Sequence, residues 1–284
     1  MSKAQETHLK DKLKTIVKER GQSINDLMMI VFLERFLARV ARSSFSENLI
    51  FKGGFCLAKH LGIDRATKDL DFLVTKIDAS QSNVQKMISE ICAIDGNDGI
   101  SYLNLNITVL DHHHMKYPGH RIEFQSQLGQ IRFPMQIDLG VGDSVEPELF
   151  TVQLLSGLKG PIYEDSVLQL LSYPLETIFA EKYETAIKRA SLNSRFKDYF
   201  DLVSLVESGR LGSSKFKKSF QATFKSRGTD PLQRIQTVLT TESIARMDRQ
   251  WRAYLTKLPK HLQTTRTFAE AVILIDEFVI REMG

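Results

Sequence analysis

Asp69 and Asp71 stand one residue apart in DRATKDLDFLV, residues 64–74. If that stretch is extended, residues 65, 67, 69 and 71 share one face and 70, 72 and 74 the other. Leu70, Phe72 and Val74 make the second face core material. The first lines up Arg65, Thr67, Asp69 and Asp71. Two carboxylates one pleat repeat apart repel each other unless a cation neutralises them, and their oxygens suit Mg²⁺ or Mn²⁺. In IRFPMQIDL, residues 131–139, the odd positions are apolar and Asp138 falls on the opposite side. A strand placed beside the first turns Asp138 into a third metal ligand, or into the group that takes a proton from an attacking hydroxyl. Gly53 and Gly54 in FKGGFCLAKHLG end a strand and open a helix, where backbone N–H groups can point at a phosphate. Phosphate at a helix start, metals on Asp69, Asp71 and Asp138, and a free hydroxyl together describe phosphoryl or nucleotidyl transfer. The plainer readings are solvent-facing strand carboxylates and an ordinary strand-to-helix turn.

The elements that must position these groups are readable in outline. Residues 7–43 have apolar positions at threes and fours and read as helical packing material. From residue 48 the pattern changes to short apolar runs: LIFKGG, DLDFLVT, SYLNLNITVLD, HRIEFQSQ and IRFPMQIDLGVGD read as strands, with a helix over 79–95. A transition follows residue 146, where VLQLL offers one more strand. After Pro174 the pattern is helical almost to residue 284. The fold class expected is α+β: a mixed sheet with helices over residues 1–157, then an α-helical domain over 158–284.

The blocks KGGFCLAK, YPGHR, IDLGVGD, YPLETIFAEK and NSRFKDYFDL, in that order between about residues 50 and 205, resemble the AbiEii/AbiGii toxin family. That family is the nucleotidyltransferase half of type IV toxin–antitoxin and abortive-infection systems, within the DNA polymerase β-like superfamily. The resemblance implies a polymerase β-like nucleotidyltransferase sheet, an NTP substrate, Mg²⁺, growth arrest, a separately encoded antitoxin and tRNA as acceptor. Many members of the superfamily have Gly-Ser where this chain has Gly53-Gly54. Here backbone amides, or Thr67 and Arg65, would have to provide the phosphate contact.

In YPLETIFAEKYETAIKRA, Lys182 falls near the apolar stripe of Leu175 and Ile178, and a buried lysine needs an anion. The resemblance makes that anion the triphosphate; the alternative is a snorkelling surface lysine. Asp198 shares a stripe with Leu202 and Leu205, and Asp201 follows one turn later. Lys182, Arg195 and a metal-bound nucleotide are all available partners for them, and the resemblance puts this block in the active site, Asp198 ahead of Asp201. Asp143 reads either as a turn former or as part of the site. His112, His113 and His114 read as a hairpin loop beside Tyr117-Pro118-Gly119, since consecutive strand histidines alternate faces. Between 182 and 228, eleven Lys and Arg face four Glu and Asp, interleaved with Phe216, Phe220 and Phe224. The rings suit a core, and the basic surplus suits either RNA or a solvated face.

With 42% hydrophobic residues and net charge +4, the 284-residue chain can build two domains and leans towards an anionic partner. The start of the sequence has no signal-like apolar segment and no run long enough to span a membrane, so a cytoplasmic protein is expected. Cys56 and Cys92 form no C-x-x-C pair, which speaks against a disulfide framework or thiolate zinc site. The expected reaction moves a nucleoside monophosphate from an NTP to an acceptor hydroxyl, with tRNA the first candidate. A protein-modifying nucleotidyltransferase, a noncatalytic nucleotide-binding partner and a metal hydrolase built on the histidines are the rivals.

Overall fold

The computed structural model describes residues 3–63, 67, 69–110, 119–143 and 145–284. The chain forms two compact units: Met1–Lys59 with Ala66–Asp143 and Pro147–Ser172, and His60–Arg65 with Ser144–Glu146 and Tyr173–Gly284.

The first unit opens with helices α1 (Lys3–Arg20) and α2 (Ile24–Arg42). They are separate because Gly21 adopts φ +68° and Ser23 caps α2, accepting the Asp26 N–H at 3.1 Å. Then come β1 (Leu49–Lys52), α3 (Gly53–Leu61), β2 (Asp69–Val74), α4 (Gln81–Ala93), β3 (Ile100–Leu110), β4 (Gly119–Leu128), β5 (Ile131–Val141), β6 (Glu148–Gln153), β7 (Ser156–Gly157), β8 (Gly160–Pro161) and β9 (Val167–Ser172). Seven strands make one mixed sheet in the order β3-β4-β5-β2-β1-β9-β6, while β7 and β8 form a two-stranded ribbon. Within the sheet β2 runs parallel to β5 and β1 parallel to β9; the other pairings are antiparallel.

One face of the sheet is apolar because alternation puts Leu70, Phe72, Ile122, Phe124, Ile137 and Leu139 there, all buried. Helix α2 covers it, with Phe36 packed on Phe124 and Phe32 on Phe133, each at 5.6 Å between ring centroids. Burying rings of this size drives the docking at roughly 25 cal/mol per Å² of apolar surface. Arg35 and Arg39 of α2 go inward as well. Arg35 and Arg39 donate to Asp98 at 2.8–2.9 Å, and the Arg39 guanidinium lies over the Tyr102 ring at 4.9 Å. Burial opposes the Asp98 charge, yet the two arginines hold its carboxyl below the usual range. Alternation on the same strands leaves the other sheet face to Asp71, Asp138 and Arg121.

The second unit is built from α5 (Leu175–Arg189), α6 (Phe196–Glu207), α7 (Ser213–Arg227), the short α8 (Ile235–Val238), α9 (Thr241–Leu255) and α10 (Phe268–Met283). Phe216, Phe220 and Phe224, at helical spacing on α7, are fully buried with Phe179 and Phe278, while Lys215, Lys217, Lys218 and Lys225 on the same helix are exposed. The Tyr183 hydroxyl donates to Asp276 at 2.6 Å, and Asp276 also accepts the N–H groups of Ile235 and Gln236, fixing the start of α8. Thr267 and Glu270 form a capping box at the start of α10. Among the described residues no helix is long and apolar enough to cross a membrane.

Candidate active site

The junction of β1 and α3 is shaped by Gly53. Its φ of +75° is a left-handed value that glycine adopts without strain, and a Cβ there would lie 1.9 Å from Oδ2 of Asp71. The Asp71 carboxylate therefore occupies the space a side chain at position 53 would need, against the first turn of α3.

Register carries the site outward from this contact. Lys52 of β1 pairs with Asp71 of β2, Asp71 with Asp138 of β5, and Asp138 with Arg121 of β4. Adjacent strands lie about 4.8 Å apart, so Lys52, Asp71, Asp138 and Arg121 form one row across four strands. One pleat repeat further on, Asp69 stands beside Gln136, which pairs with Glu123. The structure thus brings Asp69, Asp71 and Asp138 to one face of one unit. Lys52 reaches Asp143, Nζ to Oδ2 at 2.9 Å, which ties the end of β5 to the same row.

Asp138 is held by Arg121. The guanidinium donates through Nε at 2.9 Å and through Nη2 at 2.8 Å, one bond to each carboxylate oxygen. This bond to Asp138 raises Arg121 above its already high range. Gln136 Nε2 adds longer contacts of 3.3 Å to both oxygens of Asp138. Sequence reasoning gave Arg121 no role, although a signal existed. Gly129-Gln130 is a two-residue hairpin loop with Gly129 at φ +58°, and pairing Leu128 with Ile131 fixes Arg121 opposite Asp138.

Among the described residues no three His, Cys, Asp or Glu side chains are grouped so as to hold a metal ion. The arrangement is two carboxylates, Asp69 and Asp71, beside a third that is paired with arginine. That donor set fits Mg²⁺, which keeps several waters and binds through one or two carboxylates plus substrate phosphates, better than it fits an all-protein cage.

Gly54 lies within the first turn of α3, and Thr67 precedes β2. Arg65 lies outside the described residues, as do His112, His113 and His114. Cys56 is buried, its thiol pushed well up by burial and then by Asp71, and it fills space as a small apolar residue.

In the second unit, Lys182 of α5 lies between two carboxylates of α6, 2.6 Å from Asp198 and 2.9 Å from Asp201. Burial opposes the lysine charge, but Asp201 and Asp198 outweigh it and raise Lys182 above its ordinary range. Burial would likewise raise Asp198, and Lys182 reverses that and lowers it. The inward-facing lysine and the two inward-facing acids are one another's partners, with Arg195 at 3.9 Å from Asp198 on the rim. A lysine ammonium has three donors, so this pairing leaves one for a further acceptor.

No curated protein sequence is significantly similar to this chain. Among solved structures the chain resembles MenT4, a nucleotidyltransferase toxin from Mycobacterium tuberculosis, with TM-score 0.53 and 17% identity over 94% of this chain and 97% of that one. It also resembles JHP933 from Helicobacter pylori, with TM-score 0.52 and 13% identity over 92% and 93%. At such identities the likeness shows the fold: a mixed sheet with helices and a helical C-terminal region, the α+β class expected from the sequence. Residues 35–273 match the family model described as nucleotidyl transferase AbiEii toxin, type IV toxin–antitoxin system. Covering most of the chain, that match makes this protein a member of the AbiEii nucleotidyltransferase toxin family.

Proposed function

We propose that the protein transfers a nucleoside monophosphate from an NTP to a hydroxyl of tRNA, with growth arrest or abortive phage infection as the outcome in the cytoplasm. The observation that carries this reading is the row in which Asp71 and Asp138 stand side by side on parallel strands, with Asp71 seated on Gly53. Asp69 and Asp71 would hold Mg²⁺ or Mn²⁺, with Asp138, oriented by Arg121, as a third ligand. Such a metal supplies Lewis-acid stabilisation of the charge that builds on the phosphates. The first turn of α3, Gly53 and Gly54, offers N–H groups to a phosphate, and Thr67 and Arg65, ahead of Asp69 in sequence, are the other proposed phosphate contacts. Asp138 accepts the proton of the acceptor hydroxyl as its oxygen bonds to the α-phosphorus. The α–β anhydride bond breaks and pyrophosphate leaves. Lys182 gives its remaining donor to a nucleotide phosphate, and Asp198 and Asp201 hold it extended and charged.

The tRNA assignment draws support from the exposed lysines of α7, a basic face suited to a polyanion. Type IV membership implies a cognate antitoxin as partner. Incubating the protein with each labelled NTP, Mg²⁺, and separate pools of tRNA and cellular protein tests the reading. Label on tRNA is expected. Label on protein alone makes this a protein-modifying enzyme, and NTP binding without transfer to either pool makes it a noncatalytic partner.

A further inference from the structure

The β3–β5 side of the first unit carries a cavity of its own. Beyond the carboxylate row, Asp69, Gln136, Glu123 and Asn106 are in register across four strands, and Pro134 with Gln125 begin the next row. Strand alternation puts these on the same face as Asp71 and Asp138. β3 is irregular between Leu103 and Asn106, with Asn104 at φ +57°, a conformation asparagine tolerates and a bulge accommodates. Asn104, Asn106, Gln125, Gln136, Phe133 and Met29 are among the residues lining a cavity of about 680 Å³. That volume sits within the roughly 300–1,000 Å³ usual for small-molecule sites. Among the described residues, the carboxamides of Asn104 and Gln125 make no hydrogen bond.

A carboxamide presents one acceptor and two donors in a plane, which matches the edge of a nucleobase. Five carboxamides around one cavity, those of Asn25, Asn104, Asn106, Gln125 and Gln136, are the chemistry that reads the edge of an unpaired base. The side of the sheet indicates which base. Gly53 and Gly54 lie at β1, on one flank of Asp71, whereas Asp138 lies at β5 on the other, with β4 and β3 beyond it. Gln136 belongs to both places, lining the cavity while its Nε2 approaches both Asp138 oxygens at 3.3 Å.

Resting on the nucleotidyl-transfer reading above, we propose that this cavity receives the terminal nucleobase of a single-stranded RNA acceptor, which sets the ribose hydroxyl beside Asp138. The incoming NTP binds elsewhere, on the Gly53 side. The test is steady-state transfer by the double variant Asn106→Leu, Gln125→Leu with acceptor RNA and NTP varied in turn. The KM for acceptor is expected to rise by roughly tenfold or more, the effect of losing base-edge hydrogen bonds. The KM for NTP and the turnover at saturating acceptor are expected to stay within about twofold of the unsubstituted protein. An unchanged acceptor KM overturns the proposal, and a raised NTP KM alone gives the cavity to the incoming nucleotide instead. To remain independent of the variant's folding, an acceptor with a photoreactive terminal base is cross-linked to the unsubstituted protein. Adducts within 104–106 or 123–136 support the proposal, and adducts confined to other segments overturn it. If the unsubstituted protein labels no RNA at all, the transfer reading itself has failed, which is a different result from an RNA-labelling enzyme with an indifferent cavity.

Discussion

At Gly53, backbone conformation and side-chain space make the same demand. The φ of +75° costs an L-residue about 1–2 kcal/mol, and the Asp71 carboxylate already fills the Cβ position. Gly53→Ala is therefore expected to displace Asp71 and lower transfer by about a hundredfold or more, with the melting temperature falling only a few degrees. An alanine variant with full activity would show that Asp71 need not sit on this turn. Arg121 makes a different contribution. Its side chain is 38% exposed, so the pair with Asp138 adds at most about 1 kcal/mol to stability. Its two parallel bonds instead fix the plane of the Asp138 carboxylate. Arg121→Ala is expected to lower turnover about tenfold or more with melting unchanged. Arg121→Lys should recover only part of that loss, because an ammonium keeps the charge but not the fork. Full recovery by lysine would mean that charge alone matters.

At the scale of elements, strand alternation in the sequence is enough to put Asp69 and Asp71 on one face and Asp138 on the polar face of its own strand, and the sheet has them so. The antiparallel register of β4 with β5 was also legible, through the Gly129-Gln130 loop, and with it the partner of Asp138. The parallel pairing of β2 with β5 was not. Those strands are joined through a helix and a hairpin, and nothing local to either strand selects its neighbour. The helices show a related limit. Helical spacing exposes Lys182, Asp198 and Asp201 as charges turned inward, but it does not say that they satisfy one another. Because they do, removing the lysine strands two buried acids, and Lys182→Met is expected to destabilise by about 3–5 kcal/mol as measured by urea unfolding. The pH dependence has a definite sign. Asp198 is lowered in the folded state, so its contribution is present above the ordinary aspartate range and disappears as pH falls through its folded value. Lys182 is raised, so its contribution is present below the ordinary lysine range and is lost only as pH rises through its folded value. Without Lys182 burial acts unopposed on Asp198 and raises it, so the stability difference between the parent and Lys182→Met should shrink as pH falls through the variant's raised Asp198 value, and shrink again in strong alkali. A difference that grows as pH falls would contradict the pairing.

At the scale of the molecule, one unit offers carboxylates on the polar face of its sheet, and the other offers a buried lysine with its two acids and, on α7, a row of exposed lysines. Composition had foreshadowed only a mild preference for anions. It left open whether the basic surplus of residues 182–228 belonged with the phenylalanines interleaved among it. The fold separates the two on α7: the rings are core and the lysines are surface. The account rests on Asp69, Asp71 and Asp138, gathered on one sheet face, as the place where transfer happens, and Asp71→Asn tests it most directly. The substitution keeps size and seating against Gly53 while removing the charge that holds a cation. With labelled NTP, Mg²⁺ and tRNA, Asp71→Asn should melt within a degree or two of the parent and lose transfer by about a thousandfold, an effect of the size expected when an electrostatic contributor is removed. Transfer at the parental rate by a well-folded Asp71→Asn protein would contradict the account.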